Sequence, residues 1–329
     1  MRAIVTGGCG FIGSHITERL LNENYEVVVI DNMSTGRRKN LDHLAAHPKL
    51  QIVEADINDV ETTYPFYEGK DVVFHIAALA DIVPSIEMPQ QYFRANVDGT
   101  FAVLECVRRA QVKRLIYAAS SSCYGLPDQF PTPENAPIRS QYPYALTKNL
   151  GEQLCMHWHQ VYGINATAMR FFNVYGTRSR TSGTYGAVFG VFLAQKLKGK
   201  PYTIVGDGTQ TRDFTYVTDI ADACYTASLR HDLGGQIFNV GSGNTYSVNQ
   251  LVELLGGEKT YIPKRPGEPD CTFADITRIR TILGWEPKVS LEEGVKRILE
   301  NIDYWSEAPV WDPASIAKAT EGWFKYLGK

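Results

Sequence analysis

Two hydrophobic rhythms alternate through the first half of the chain. Short apolar runs rich in β-branched residues recur at 3–6, 26–31, 50–56, 71–77, 114–120 and 165–172, each bounded by Gly, Asp or Ser. Between several of them the apolar residues fall at helical spacing, over 11–21, 92–110 and 145–162. A run apolar at every position has both faces buried, so these are strands of a parallel sheet with helices on either side. The spacing leaves room for right-handed crossovers. The expected class is therefore α/β, with a doubly wound parallel sheet.

After residue 172 the rhythm loosens. Glycine-rich loops at 176–186, 206–208 and 241–243 separate shorter elements, and 263–269 is a proline-rich connection. Ser290 opens Ser-Leu-Glu-Glu, a capping-box pattern that predicts a helix to about residue 304. Asp312-Pro313 reads as a cap followed by proline at the first helical position of a terminal helix. The expected division is 1–172 for the sheet domain and 173–329 for a smaller α/β C-terminal substrate domain, with some later segments returning to the sheet. A ligand cleft is expected at that junction.

Composition narrows the setting. In 329 residues, 44% are hydrophobic and 21% charged, as in ordinary globular proteins. A net charge of -3 argues against a nucleic-acid-coating surface, and no apolar run reaches membrane-spanning length. The N-terminus meets glycines too early for a signal-peptide apolar region. Six scattered cysteines without a CxxC pair read as buried thiols, and the expected location is the cytoplasm. His157 and His159 point in different helical directions, and His75 reads as a strand residue near a cofactor. Metal catalysis is not expected.

Gly7, Gly10 and Gly13 follow the first strand and open the first helix in GxxGxxG spacing. Glycines there allow a tight turn and let backbone approach a pyrophosphate, which the helix N-terminus attracts. Asp31 ends the second strand, 18 residues past Gly13, near the offset of a carboxylate that binds both ribose hydroxyls. On its own it reads first as a strand-terminal turn residue, and it is the glycine motif and flanking elements that favour the cofactor. A carboxylate there repels a 2′-phosphate, so NAD is expected over NADP, although Arg37 and Arg38 lie close by.

Tyr144 and Lys148 form a YxxxK pair that places both side chains on one helical face. A phenol titrates near ~10, and a lysine charge or a positive nicotinamide would lower that value. The strand at 114–120 delivers Ser120, Ser121 and Ser122 just upstream, where a hydroxyl can hydrogen-bond the oxygen that exchanges its proton. A solvated helix-face pair and a polar strand end are the plainer alternatives.

Taken with Asp56-Ile57, Ala77 to Ala80, Asn96 and Tyr124-Gly125, these motifs resemble the extended short-chain dehydrogenase/reductase family. Within it the chain is similar to the UDP-glucose 4-epimerase branch over almost its whole length. The resemblance implies a Rossmann-type sheet domain, NAD as cofactor, Tyr144 as base, Lys148 on the nicotinamide ribose and Ser120 completing the triad. Phe11, Ile12, Asn32, Asp56, Ile57, Ala77, Ala78, Ala80, Asn96 and Phe172 would join the glycines and Asp31 around the cofactor. Ser121, Ser122, Asn173, Ala187 and Val188 would meet the substrate. Arg212 and Arg265 would bind its diphosphate, which suits a guanidinium fork, and Glu268 its ribose. Ion pairing of either arginine with Asp213 or Glu268 is the plainer reading. Thr272, seven residues past Arg265, occupies the position at which the family tunes pocket width.

The function so implied is inversion at C4 of a UDP-hexose through a transient 4-keto sugar. Threonine at 272 leaves space for an N-acetyl group, and Arg178 or Arg180 could face a C6 carboxylate. A nucleotide-sugar 4,6-dehydratase is the nearest rival, but that branch places Asp-Glu where this chain has Ser121-Ser122. A reductase or decarboxylase of the family, or an epimerase of another nucleotide sugar, stays open. By the same likeness the helices at 92–110 and 145–162 would pair two copies into a homodimer.

Overall fold

The computed structural model describes residues 1–179, 186 and 188–328. Its centre is a seven-stranded sheet. Six strands come from the first half: β1 (Arg2–Thr6), β2 (Glu26–Asp31), β3 (Leu50–Glu54), β4 (Val72–His75), β5 (Arg114–Ser120) and β6 (Ala166–Phe171). The seventh, Ile237–Val240, returns from the second half to lie beside β6. Across the sheet the order is Ile237–Val240, β6, β5, β4, β1, β2, β3, and every pairing is parallel.

The apolar runs explain this directly, because successive strand residues face opposite ways. Val5, Val29, Phe74, Ile116, Met169 and Phe238 enter one core layer. Their neighbours Ile4, Val28, Val73, Leu115 and Ala168 enter the layer on the other face. Both faces are dry, as a Rossmann-like parallel sheet requires.

Two helices follow the reading closely. Phe11–Asn22 rises from the glycine loop, and Pro143–Tyr162 starts with proline in its first turn and stops at Gly163, whose φ of 68° is left-handed. The helix expected over 92–110 is instead three pieces. Pro89–Phe93 passes through a π turn, Arg94–Asp98, into Gly99–Arg109. The wide turn carries Asn96 into the interior. The Ser290 helix ends at Glu300, and a 3₁₀ turn, Ile302–Trp305, follows. Only half of its capping box forms. Ser290 accepts from the Glu293 N–H, but the Glu293 carboxylate turns to Arg297 at 2.8 Å. Asp312 makes a full box with Ser315 ahead of Pro313–Ala319, and a further helix, Glu321–Leu327, ends the chain.

The second half adds three two-stranded pairings that the looser pattern hid. Asn173–Tyr175 runs parallel to Phe214–Tyr216, and Tyr202–Val205 parallel to Lys259–Ile262. Thr211–Arg212 runs antiparallel to Tyr246–Ser247. They close over a third core containing Phe189, Phe192, Ile204, Leu251 and Trp305. Five cysteines are buried as expected, whereas Cys271 is partly exposed. Among the described residues no helix is long and apolar enough to cross a membrane, and no cluster of His, Cys, Asp and Glu could hold a metal.

Candidate active site

At the end of β1 the chain turns at Gly7, with φ +70°. A Cβ at Gly7 would lie 2.7 Å from the Ala77 backbone, and one at Gly13 would lie 2.1 Å from the Gly7 carbonyl. Only glycines let loop, wall and helix close on one another here. Gly10 caps helix Phe11–Asn22 with no side-chain acceptor, so the positive end of that helix is left to an anion. Asp31 is 6% exposed and braces the loop: one carboxylate oxygen accepts from the Cys9 N–H at 2.9 Å, the other from the Met33 N–H at 2.9 Å. Burial pushes its carboxyl above the usual range, partly offset by these two bonds.

A cleft of about 740 Å³ opens beside this loop. Gly7, Gly10, Phe11, Ile12, Gly13, Asp31, Asn32, Asp56, Ile57, Ala77, Ala78 and Ala80 all line it. Its form, a bare helix terminus with a carboxylate at the next strand end, suits a dinucleotide. Phe172 is not part of that lining. Its ring is buried against Tyr124, 6.4 Å between centroids.

The cleft wall is tied to helix Pro143–Tyr162 by Asn96. Its Oδ1 accepts from the Leu79 N–H at 2.8 Å, and its Nδ2 donates to the Leu79 carbonyl and to Thr147 Oγ1. His75, on β4, lies behind the same wall between Thr6 Oγ1 (2.8 Å) and Thr100 Oγ1 (3.0 Å). Thr100 gives its own proton to the Asn96 carbonyl. Burial first, and the Lys148 charge second, hold His75 down at about 3, so it stays neutral.

Ser120 ends β5 and Tyr144 lies in the first turn of Pro143–Tyr162, which brings the two hydroxyls to 3.3 Å. Ser122 Oγ is 2.9 Å from Ser120 Oγ, and the Ser122 N–H also donates to it at 3.3 Å. Ser121 starts the 3₁₀ turn Ser121–Tyr124. Lys148 is buried, with its ammonium 4.5 Å from the Tyr117 ring centroid. Desolvation brings it down to about 8. Tyr144 departs from the sequence expectation. Burial pushes its phenol up, Asp81 and Cys123 push the same way, and only the bond with Ser120 opposes them. Lys148 is not among the groups that lower it.

Several of the predicted substrate residues converge, from three segments. Thr272 Oγ1 donates to Asn173 Oδ1 at 2.7 Å. Arg212 Nη2 donates to Glu268 Oε1 at 2.9 Å, and Glu268 Oε2 is 3.7 Å from Arg265 Nη1. The ion pairs foreseen as the plainer reading are thus formed with Glu268, and they draw both arginines to one carboxylate. Asp213 faces elsewhere, buried among Ser242, Thr215 and the Ala274 N–H. Val188 opens helix Val188–Leu197. Ala187 and Arg180 lie outside the described residues. Arg178 lines the cleft and is held by Glu18 at 2.5 Å and His43 at 3.2 Å, so its charge is already matched.

Two contributors escaped sequence reading. Tyr304, Ala308, Pro309 and Trp311 line the cleft from the far end of the chain. The Tyr304 hydroxyl donates to Asn40 Oδ1 at 2.7 Å, and Asn40 Nδ2 donates to the Cys9 carbonyl in the glycine loop at 2.8 Å. Trp323 is buried in the last helix, donates to the Pro266 carbonyl at 2.7 Å, and lies 5.5 Å beneath Arg265. Its ring also packs beside Tyr142, the residue that caps helix Pro143–Tyr162. No local pattern marks either residue.

Comparison with known proteins identifies the family of this fold. A family model described as the NAD dependent epimerase/dehydratase family matches residues 3–241. The UDP-glucose 4-epimerase of Mycolicibacterium smegmatis is 36% identical over 308 residues, which cover 91% of this chain and 98% of that protein. A Thermotoga maritima UDP-glucose 4-epimerase, solved with UDP-glucose, superposes with a TM-score of 0.85 at 34% identity, covering 93% of this chain and 99% of the other. A double mutant of the Streptomyces venezuelae dTDP-glucose 4,6-dehydratase, solved with NAD, gives 0.86 at 28% identity over 93% and 99%. Both the glycine cradle and the family's dependence on it make NAD the cofactor of the cleft. With most of its length inside the family match and its fold reproduced throughout, the chain belongs to the NAD-dependent epimerase/dehydratase family.

Proposed function

We propose that the protein is a nucleotide-sugar 4-epimerase acting on a UDP-hexose. The observation that carries this reading is the hydroxyl pair beside the base. Ser122 Oγ bonds Ser120 Oγ at 2.9 Å, in a stretch where a 4,6-dehydratase would need carboxyl groups to expel water. Serines can hold and pass a proton at a sugar oxygen, but they are too weak as acids to drive that elimination.

Bound in the cleft, NAD would supply the acceptor for a hydride from C4 of the sugar and its donor on return. Tyr144 removes the O4 proton and later gives it back, while Ser120 hydrogen-bonds O4. Ser120 accepts from the Tyr144 phenol in the resting site, and its own proton can turn to a phenolate. Because burial raises Tyr144, its ionisation depends on the positive charge that oxidised nicotinamide brings. Arg212 and Arg265 exchange Glu268 for the diphosphate, and the 4-keto sugar turns within the site before reduction on its other face. Relatives named UDP-glucose 4-epimerase support the uridine nucleotide. Thr272 leaves room for an N-acetyl group at C2. The pairing of Arg178 with Glu18 removes it as a ready partner for a C6 carboxylate.

The test is incubation of the purified protein with UDP-, GDP- and dTDP-sugars, without added NAD, followed by NMR of the products. A C4 epimer of a UDP-hexose is expected. A 4-keto-6-deoxy sugar, a pentose or a net-reduced sugar would replace this reading.

A further inference from the structure

We propose that Thr272 is a positioning residue that sets which end of the Asn173 amide faces the substrate. The inference rests on Asn173 as a contact of the diphosphate.

Three segments meet at this threonine. The Asn173 N–H donates to the Asp213 carbonyl at 3.1 Å, which fixes the start of strand Asn173–Tyr175. The Asp213 N–H donates to Thr272 Oγ1 at 3.0 Å, and the Thr272 N–H donates to the Thr211 carbonyl at 3.1 Å. The threonine hydroxyl thus accepts one backbone N–H and gives its single proton to Asn173 Oδ1, 2.7 Å away. The carbonyl end of the amide is thereby committed to the protein.

What remains is the NH2 end, a pair of donors. A diphosphate presents only acceptor oxygens, so an amide turned the other way would set oxygen against oxygen. Thr272 therefore selects for acceptor-rich ligands through a residue it never leaves. Its backbone bond to Thr211, next to Arg212, keeps the amide and one guanidinium in register. A position whose size sets pocket width thus has a second duty in its hydroxyl. Valine keeps the size and loses that duty; serine does the reverse.

The experiment is calorimetric titration of the NAD-loaded protein with UDP, alongside steady-state kinetics. Thr272→Val should weaken UDP by about five- to tenfold, the effect of one hydrogen bond, and raise KM far more than it lowers kcat. Thr272→Ser should stay within about twofold of the parent. Asn173→Ala should weaken UDP at least as much as Thr272→Val, and the double variant should lose no more than Asn173→Ala alone. Thr272→Ala takes the place of the valine variant if that one does not fold. Unchanged UDP affinity in Thr272→Val, with Asn173→Ala still weakened, overturns the inference and leaves the diphosphate site standing. Equal losses in the serine and valine variants also overturn it. Unchanged affinity in Asn173→Ala removes the diphosphate contact, and the inference goes with it.

Discussion

At the scale of single residues, Tyr144 is where chemistry and burial are most at odds. The proposed mechanism needs a phenolate there, yet burial of the ring pushes its phenol up. Tyr144→Phe removes the proton carrier but leaves the glycine cradle and Asp31 intact. Turnover should fall by about 10²–10⁴-fold, while the ultraviolet spectrum of the purified variant still shows bound nucleotide. Activity within tenfold of the parent would transfer the base to another group. Tyr144 also marks how far the sequence can be read. The YxxxK spacing gave Tyr144 and Lys148 a shared helical face, and the GxxGxxG run with Asp31 outlined the cradle, because those relations are local. The weight of burial on Tyr144 was not legible, because desolvation depends on everything packed around the ring. Likewise the sequence shows Phe172 as an aromatic at a strand end, but not that its ring packs beside Tyr124.

Among the elements, the sheet and its two buried faces were legible, since an uninterrupted apolar run already states that both sides are covered. The π turn that delivers Asn96 was not, because helical spacing passes through it unbroken. Nor was the segment after the Ser290 helix. Tyr304 joins Asn40 across 264 residues, and through Asn40 holds the Cys9 carbonyl of the glycine loop. Lys39 lies 4.4 Å from its ring centroid. This strap joins two residues that line the cleft, which would suit a cofactor regenerated each cycle, as the proposed epimerisation requires. Tyr304→Phe keeps the ring and deletes the bond. We expect it to lose NAD during prolonged dialysis, read as nucleotide released per chain on denaturation, under conditions where the parent retains its own. Equal retention would mean that the strap packs without holding.

For the whole molecule, the helices Gly99–Arg109 and Pro143–Tyr162 lie together on the outside of the sheet and leave apolar surface open. Phe101 is 49% and Tyr162 51% exposed, and both rings pack on Trp158, at 5.6 Å each. Trp158 is itself pinned to Glu105 at 2.9 Å, so the patch is rigid rather than loosely draped. Rigid aromatic surface loses little freedom on association, and a two-fold axis through such a face buries the same residues twice. The occupant we propose is a second copy of the chain, with four helices at the interface. Because the catalytic helix is one of them, dimerisation would brace Tyr144 and Lys148 from behind without supplying any group to the site. Sedimentation velocity should give twice the mass of one chain for the parent protein. Phe101→Asp should shift it to the single-chain mass, with thermal stability falling more at low protein concentration than at high. A parent that sediments as one chain at micromolar concentration would defeat the dimer. A dimer that survives Phe101→Asp would place its interface on another face.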